Sequence, residues 1–91
     1  MDKLKVLVAD DEDIIREGIC QFVPWEALGY ELVGSAWDGQ MVLDMLETQP
    51  VDVLITDIQM PKATGLDIIE TIVQKNLDVA VVLVTGYDEF D

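Results

Sequence analysis

The chain has 91 residues, 51% of them hydrophobic, and carries 19 acids against 5 bases for a formal net charge of −14. That length holds one domain. No apolar stretch approaches the roughly 18 residues that span a bilayer, and no signal-peptide cleavage site follows MDKLKVLVAD, so a cytoplasmic protein with no membrane contact is expected. The acidic balance opposes direct nucleic-acid contact, which needs clustered Lys and Arg, and suits cations or basic partners. Histidine is absent and cysteine occurs once, at Cys20. This excludes His-ligated metals, His-activated nucleophiles and internal disulfides.

Leu4 to Ala9 (LKVLVA) is an apolar, β-branched run bounded by charge and predicts a strand. Four acids follow, Asp10 to Asp13. Then Ile14, Ile15, Ile19 and Phe22 recur at helical spacing, with Glu12 and Asp13 in the first turn, where the helix dipole favours them. Cys20 on this helix reads as a small buried side chain. Pro24 ends the helix, and PWEALGY leads to a second strand, Tyr30 to Ala36. Asp38 is placed to cap a second helix with Met41, Val42, Met45 and Leu46 inward and Pro50 as its stop. Val51 to Thr56 (VDVLIT) predicts a third strand. Thr64-Gly-Leu-Asp67 has capping-box form and opens a third helix, with Leu66, Ile69, Ile72 and Val73 inward and Lys75 and Asn76 near its end. Val79 to Val84 (VAVVLV) predicts a fourth strand, and Tyr87 to Phe90 begins a further helix. Trp25 and Trp37 read as packing or loop anchors, and Met41, Met45 and Met60 as core filling.

Alternating strands and helices predict βαβ units and a parallel sheet, and VAVVLV and VLIT, with no polar alternation, call for cover on both faces. In such doubly wound α/β sheets, ligands bind beyond the carboxyl ends of the strands, where strand order reverses. The first strand ends at Asp10 and Asp11, the third at Asp57, the fourth at Thr85 and Gly86, and the second in the neutral Ser35 and Ala36. If strands one, three and four are neighbours, three carboxylates and a hydroxyl converge on one edge. Close carboxylates without a cation repel and raise one another's pKa. A hard divalent cation resolves that conflict, and Mg²⁺ fits it with oxygen ligands, octahedral geometry and retained waters. The plainer reading is a solvated acidic corner; it explains any one of these residues more easily than all of them at strand ends together.

VLVADDED, VLITDIQMP followed by Gly65-Leu66, and VVLVTGYDEF resemble, taken together, the receiver domains of two-component response regulators. The resemblance runs the length of the chain. IIREGI, PWEALGYELVG and TGYDEF are similar to the subgroup whose receiver precedes an AraC-type helix-turn-helix output domain. The resemblance implies a flavodoxin-like sheet of order 2-1-3-4. It implies Asp57 as the phosphoacceptor, charged from a phosphohistidine of a sensor histidine kinase. It also implies Asp11 as a direct Mg²⁺ ligand, Asp10 assisting directly or through water, and the Gln59 backbone carbonyl completing the protein ligands. Thr85 would bond the phosphoryl group and move inward when it arrives, and Met60-Pro61 would shape the loop after the acceptor. The implied role is a signalling switch for a transcriptional output domain, not an enzyme beyond autophosphorylation and autodephosphorylation of Asp57.

Receivers of this family have five strands and five helices, whereas this chain supplies about the first seven elements. Residues 1–91 are therefore expected to form a receiver incomplete at its C-terminus, without its output domain. The family's lysine after the fifth strand has no counterpart; Lys62 and Lys75 stand elsewhere, and Tyr87 does not take the aromatic switch position. Ala63-Thr64 occupies the place where an acid commonly precedes the glycine, and Asp13 a place where the subgroup often has proline. A fourth strand of interior composition with an uncovered edge invites pairing with another chain, so a homodimer or domain-swapped dimer is expected. Three other functions compete. A phosphorylation-independent pseudo-receiver is favoured by the missing lysine and opposed by the intact acids and Thr85. An aspartate-based phosphatase is opposed by Gln59 where its general acid would stand. A calcium loop is opposed by Ile14, Ile15 and Arg16.

Overall fold

A computed structural model describes residues 3–84. Strands and helices alternate as β1 (Leu4–Ala9), α1 (Asp13–Phe22), β2 (Tyr30–Ala36), α2 (Gly39–Thr48), β3 (Val53–Asp57), α3 (Gly65–Gln74) and β4 (Ala80–Val84). Every pairing is parallel and the order is β2-β1-β3-β4. The chain thus has the flavodoxin-like, doubly wound sheet, with the strand order reversing beside β1. Thr85, Gly86 and the helix expected from Tyr87 to Phe90 lie outside the described residues.

β1 is hydrogen-bonded on both edges and buried from Val6 to Ala9, which is why it reads as an unbroken apolar run. Its alternate side chains divide between the two faces of the sheet. Leu7 and Ala9 join Ala36, Val42, Leu54, Met60, Ile68 and Ile72 in one core cluster under α2 and α3. Asp52 locks the entry to β3. Its Oδ2 accepts from the Lys5 amide at 2.8 Å, its own amide donates to the Lys5 carbonyl at 2.8 Å, and its carbonyl accepts from Ala80 at 2.9 Å. β3 consequently starts at Val53, later than the expected Val51, and runs on through Asp57.

The helix boundaries follow local chemistry. α1 stops at Phe22, just short of Pro24. Trp25 anchors the following loop by donating from Nε1 to the Cys20 carbonyl at 3.1 Å and by meeting Tyr30 edge-on, with ring centroids 6.5 Å apart. Asp38 caps α2, accepting from the Met41 amide at 2.9 Å. Thr64 and Asp67 form the reciprocal capping box of α3, and Asn76, at φ 55°, takes the left-handed position after it.

Two helical faces differ from expectation. On α3, Ile68 and Ile72 are buried whereas Leu66 and Val73 are 61% and 72% exposed. Gly65, Ile68 and Ile72 form one stripe, and Leu66, Ile69 and Val73 form the next, so the helical period fits both. Gly65 decides between them, because a Cβ there would lie 3.0 Å from the Asp57 carbonyl oxygen and the helix must turn that side to the sheet. On α1, Ile14 and Phe22 are 88% and 80% exposed, and the buried member is Arg16. Cys20, expected to be buried, is half-buried. No helix among the described residues is long and apolar enough to cross a membrane.

Candidate functional site

The carboxyl ends of β1 and β3 are neighbours, since Ala9 pairs with Thr56. Asp10 and Asp11 therefore leave β1 beside Asp57, the last residue of β3. Carboxylate oxygens of Asp10, Asp11 and Asp57 lie within 4.8 Å of one another. Asp10 is buried, Asp57 half-buried and Asp11 exposed. The predicted convergence of these three residues is thus present in the fold, whereas Thr85 lies outside the described residues.

Asp10 is the most constrained of the three. Its amide donates to the Ala36 carbonyl at 3.0 Å, and its Oδ1 accepts from the Glu12 amide at 2.9 Å. Its carbonyl accepts from Arg16 Nη1 at 3.1 Å. Burial pushes its carboxyl above the ordinary carboxylate value, and the charges of Asp57 and Asp11 add to the rise. The Glu12 N–H and the Arg16 charge oppose it. The crowded acids thus divide into two jobs. Asp10 and Asp11 face the strand ends. Glu12 stands at the N-cap of α1 without a side-chain cap bond, and Asp13 opens the helix and accepts from Arg16 Nη2 at 2.7 Å.

The donor set suits a hard cation. Carboxylate oxygens held by one Mg²⁺ at about 2.0–2.1 Å would stand about 3 Å apart at neighbouring positions, so oxygens already within 4.8 Å would close by up to about 2 Å. Asp10, Asp11 and Asp57 would hold the ion, and the exposed Gln59 follows close behind Asp57, its amide donating to Asp57 Oδ1 at 3.4 Å.

The segment after Asp57 is tied to α2. Met60 is buried and its Sδ accepts from Thr56 Oγ1 at 3.8 Å. The Pro61 carbonyl accepts from the Gly39 amide at 3.0 Å. Lys62 adopts φ 73° and sets its Nζ 3.7 Å from Asp38 Oδ2, while Lys75 pairs with Glu47. Both lysines are therefore engaged with other acids. Gly39 makes the docking possible, because a Cβ there would collide with the carbonyl and Cβ of Ala63. Gly39→Ala should lose about 1–3 kcal/mol, the usual range for overpacking, measured by urea denaturation.

Sequence inspection missed two of these features. The sequence offers no sign that Arg16, the chain's one arginine, bonds the Asp10 carbonyl beside the acids. Asp38, predicted as a helix cap, also meets Lys62 of the loop after Asp57.

Comparison with known proteins decides the family. The response regulator receiver domain matches residues 6–91. The chain belongs to the response regulator receiver family. A response regulatory protein of Staphylococcus epidermidis is 40% identical over 87 residues, covering 96% of this chain and 34% of its own length. The transcriptional regulatory protein HptR of Staphylococcus aureus is 37% identical with the same coverage. Among solved structures, the receiver domain of AraT, a response regulator from Geobacillus stearothermophilus, superposes with a TM-score of 0.87 at 41% identity, covering 96% of this chain and 67% of that one. A two-component transcriptional regulator AraC from Clostridium phytofermentans gives 0.82 at 30% identity, covering 96% and 70%. This receiver spans about a third of the length of the curated relatives it matches.

Proposed function

We propose that this receiver accepts a phosphoryl group on Asp57 from the phosphohistidine of a sensor kinase in the cytoplasm, with Mg²⁺ bound by Asp10, Asp11, Asp57 and the Gln59 carbonyl. The observation that carries this reading is the convergence of three carboxylates at the β1 and β3 ends, one of them buried. Bound Mg²⁺ would supply neutralising charge for the phosphoryl oxygens. The chain's own part is positioning. A free Asp57 oxygen forms the bond to phosphorus as the P–N bond of the phosphohistidine breaks, and the electron pair returns to the kinase imidazole. Asp10, pinned at its amide, carbonyl and carboxylate, keeps the acidic edge in place without reorganisation. Thr85 is the residue we assign to bond the transferred group, and Met60-Pro61 shapes the loop that meets α2.

In a longer protein, the phosphorylated receiver would control a transcriptional output domain. Two relatives support this, one named a transcriptional regulatory protein and one a two-component transcriptional regulator. A second copy is a further partner. Among the described residues β4 is an edge strand with Val82 and Leu83 exposed, the kind of edge that pairs with another strand. Sedimentation is expected to show concentration-dependent dimers, and a monomer across the range would remove this partner.

The test is incubation with Mg²⁺ and acetyl phosphate, read by intact mass. One phosphoryl adduct is expected, dependent on Mg²⁺, absent in Asp57→Ala and retained in Asp44→Ala, a change at an exposed position of α2. An adduct that persists in Asp57→Ala would overturn the assignment.

A further inference from the structure

We propose that Arg16 is a positioning residue for the cation site, clamping the Asp10–Asp11 turn in its ligating geometry. This inference rests on the Mg²⁺ reading of the acidic edge. Arg16 is 8% exposed, although it belongs to the first turns of a helix whose neighbouring isoleucines face outward. A guanidinium is expensive to bury, and an apolar side chain of similar volume commonly supports a fold as well or better. Its burial therefore asks for a purpose beyond packing.

The contacts indicate that purpose. From α1 the side chain reaches back toward the helix N-terminus, as helical side chains do. Nη1 donates to the Asp10 carbonyl at 3.1 Å and Nη2 to Asp13 Oδ1 at 2.7 Å. The guanidinium carbon lies 5.5 Å from the ring centroid of Trp37, just beyond β2. One planar group thus ties the end of β1, the start of α1 and the end of β2. No fully buried side-chain nitrogen or oxygen among the described residues lacks a partner, so the clamp leaves no such atom unpaired. With the Asp10 amide bonded to Ala36, the backbone of Asp10 is held through both of its peptides, the one that enters it and the one that leads into Asp11.

Charge alone would predict the opposite effect, since a cation near the site repels Mg²⁺. Asp13, paired directly with Arg16, offsets that charge locally, and the geometric contribution is what remains. Lysine separates the two. It keeps the positive charge but cannot fork in one plane to a carbonyl and a carboxylate.

The experiment is thermal denaturation of wild type, Arg16→Lys and Arg16→Met at stepped Mg²⁺ concentrations, with the apparent Kd taken from the rise in Tm. Both variants are expected to bind Mg²⁺ about 10- to 100-fold more weakly, the usual loss when a group that orients metal ligands is removed. Phosphoryl uptake should recover when Mg²⁺ is raised by the same factor. An Arg16→Lys protein with a lower Tm in the absence of Mg²⁺ but an unchanged Kd would make Arg16 purely structural and overturn the proposal; a tighter Kd would overturn it in favour of simple charge repulsion. If wild type shows no Mg²⁺-dependent rise, the cation reading itself falls, an outcome distinct from either. Should Arg16→Met not fold, Arg16→Lys decides alone.

Discussion

Asp57→Asn is expected to leave the receiver folded and without detectable phosphoryl uptake. Asp57 contributes little to the fold through its side chain. Among the described residues, its one hydrogen bond there is accepted from the exposed Gln59 amide at 3.4 Å, which an asparagine oxygen can also accept. Its backbone pairing with Val84 is unaffected by the substitution. Removing one of three mutually repelling carboxylates also relieves strain on Asp10. The expected change in stability is therefore within about 0.5 kcal/mol, as for other substitutions away from packed features. The chemistry has no such tolerance, because a neutral amide is a far poorer nucleophile than a carboxylate and supplies no charge to the cation site. Circular dichroism and intact mass after treatment with acetyl phosphate and Mg²⁺ check the two halves together. A folded Asp57→Asn protein that still gains the adduct would place the acceptor elsewhere.

Asp10→Asn should stabilise the metal-free receiver and abolish its response to Mg²⁺. The sign follows from linkage. Asp10's carboxyl is raised in the folded state, first by burial and then by Asp57 and Asp11. Between the ordinary carboxylate value and the raised one, the folded state holds a proton that the unfolded state has released. Asp10's contribution is thus most favourable below the ordinary value and is lost as pH rises through the interval. Asparagine keeps the acceptor for the Glu12 amide but never ionises. At neutral pH without Mg²⁺ the variant should be more stable by about 1 kcal/mol, within the range seen when unfavourable charges are removed. The gain should vanish in acid. Mg²⁺ reverses the ranking, since saturation at 100 times Kd adds about 2.7 kcal/mol to wild type and nothing comparable to the variant. Chemical denaturation across pH, with and without Mg²⁺, checks both arms. A variant less stable than wild type at neutral pH without Mg²⁺ would show that the Asp10 charge supports the fold.

The two expected outcomes together would describe a site that trades stability for binding. An acidic cluster is tolerated at the β1 and β3 ends because its most buried member is held by three hydrogen bonds through its backbone and carboxylate. What repels in the free protein attracts once a cation arrives. Gly39 and Asp38 extend the site to α2, so that the loop following Asp57 is docked rather than free.

Local features of the chain specified much of this arrangement before any tertiary contact. Apolar runs without polar alternation, VLVA, VLIT and VAVVLV, mark β1, β3 and β4, as in parallel sheets between helix layers. Asp38, Thr64 and Asp67 marked two helix starts, because capping is satisfied within a few residues. The acids at strand ends followed from the same runs, since a parallel sheet presents all its carboxyl ends on one edge. Periodicity could not choose between the two apolar stripes of α3. That choice needed Gly65 against the Asp57 carbonyl, a contact between elements. Nor could it bury Arg16, whose charged side chain in an acidic helix start looks solvent-facing. Its partners are the backbone carbonyl of Asp10 and the ring of Trp37, and only the folding of β1, α1 and β2 together brings them around it. Period and capping are properties of neighbouring residues, whereas burial of a charge depends on what distant segments place beside it.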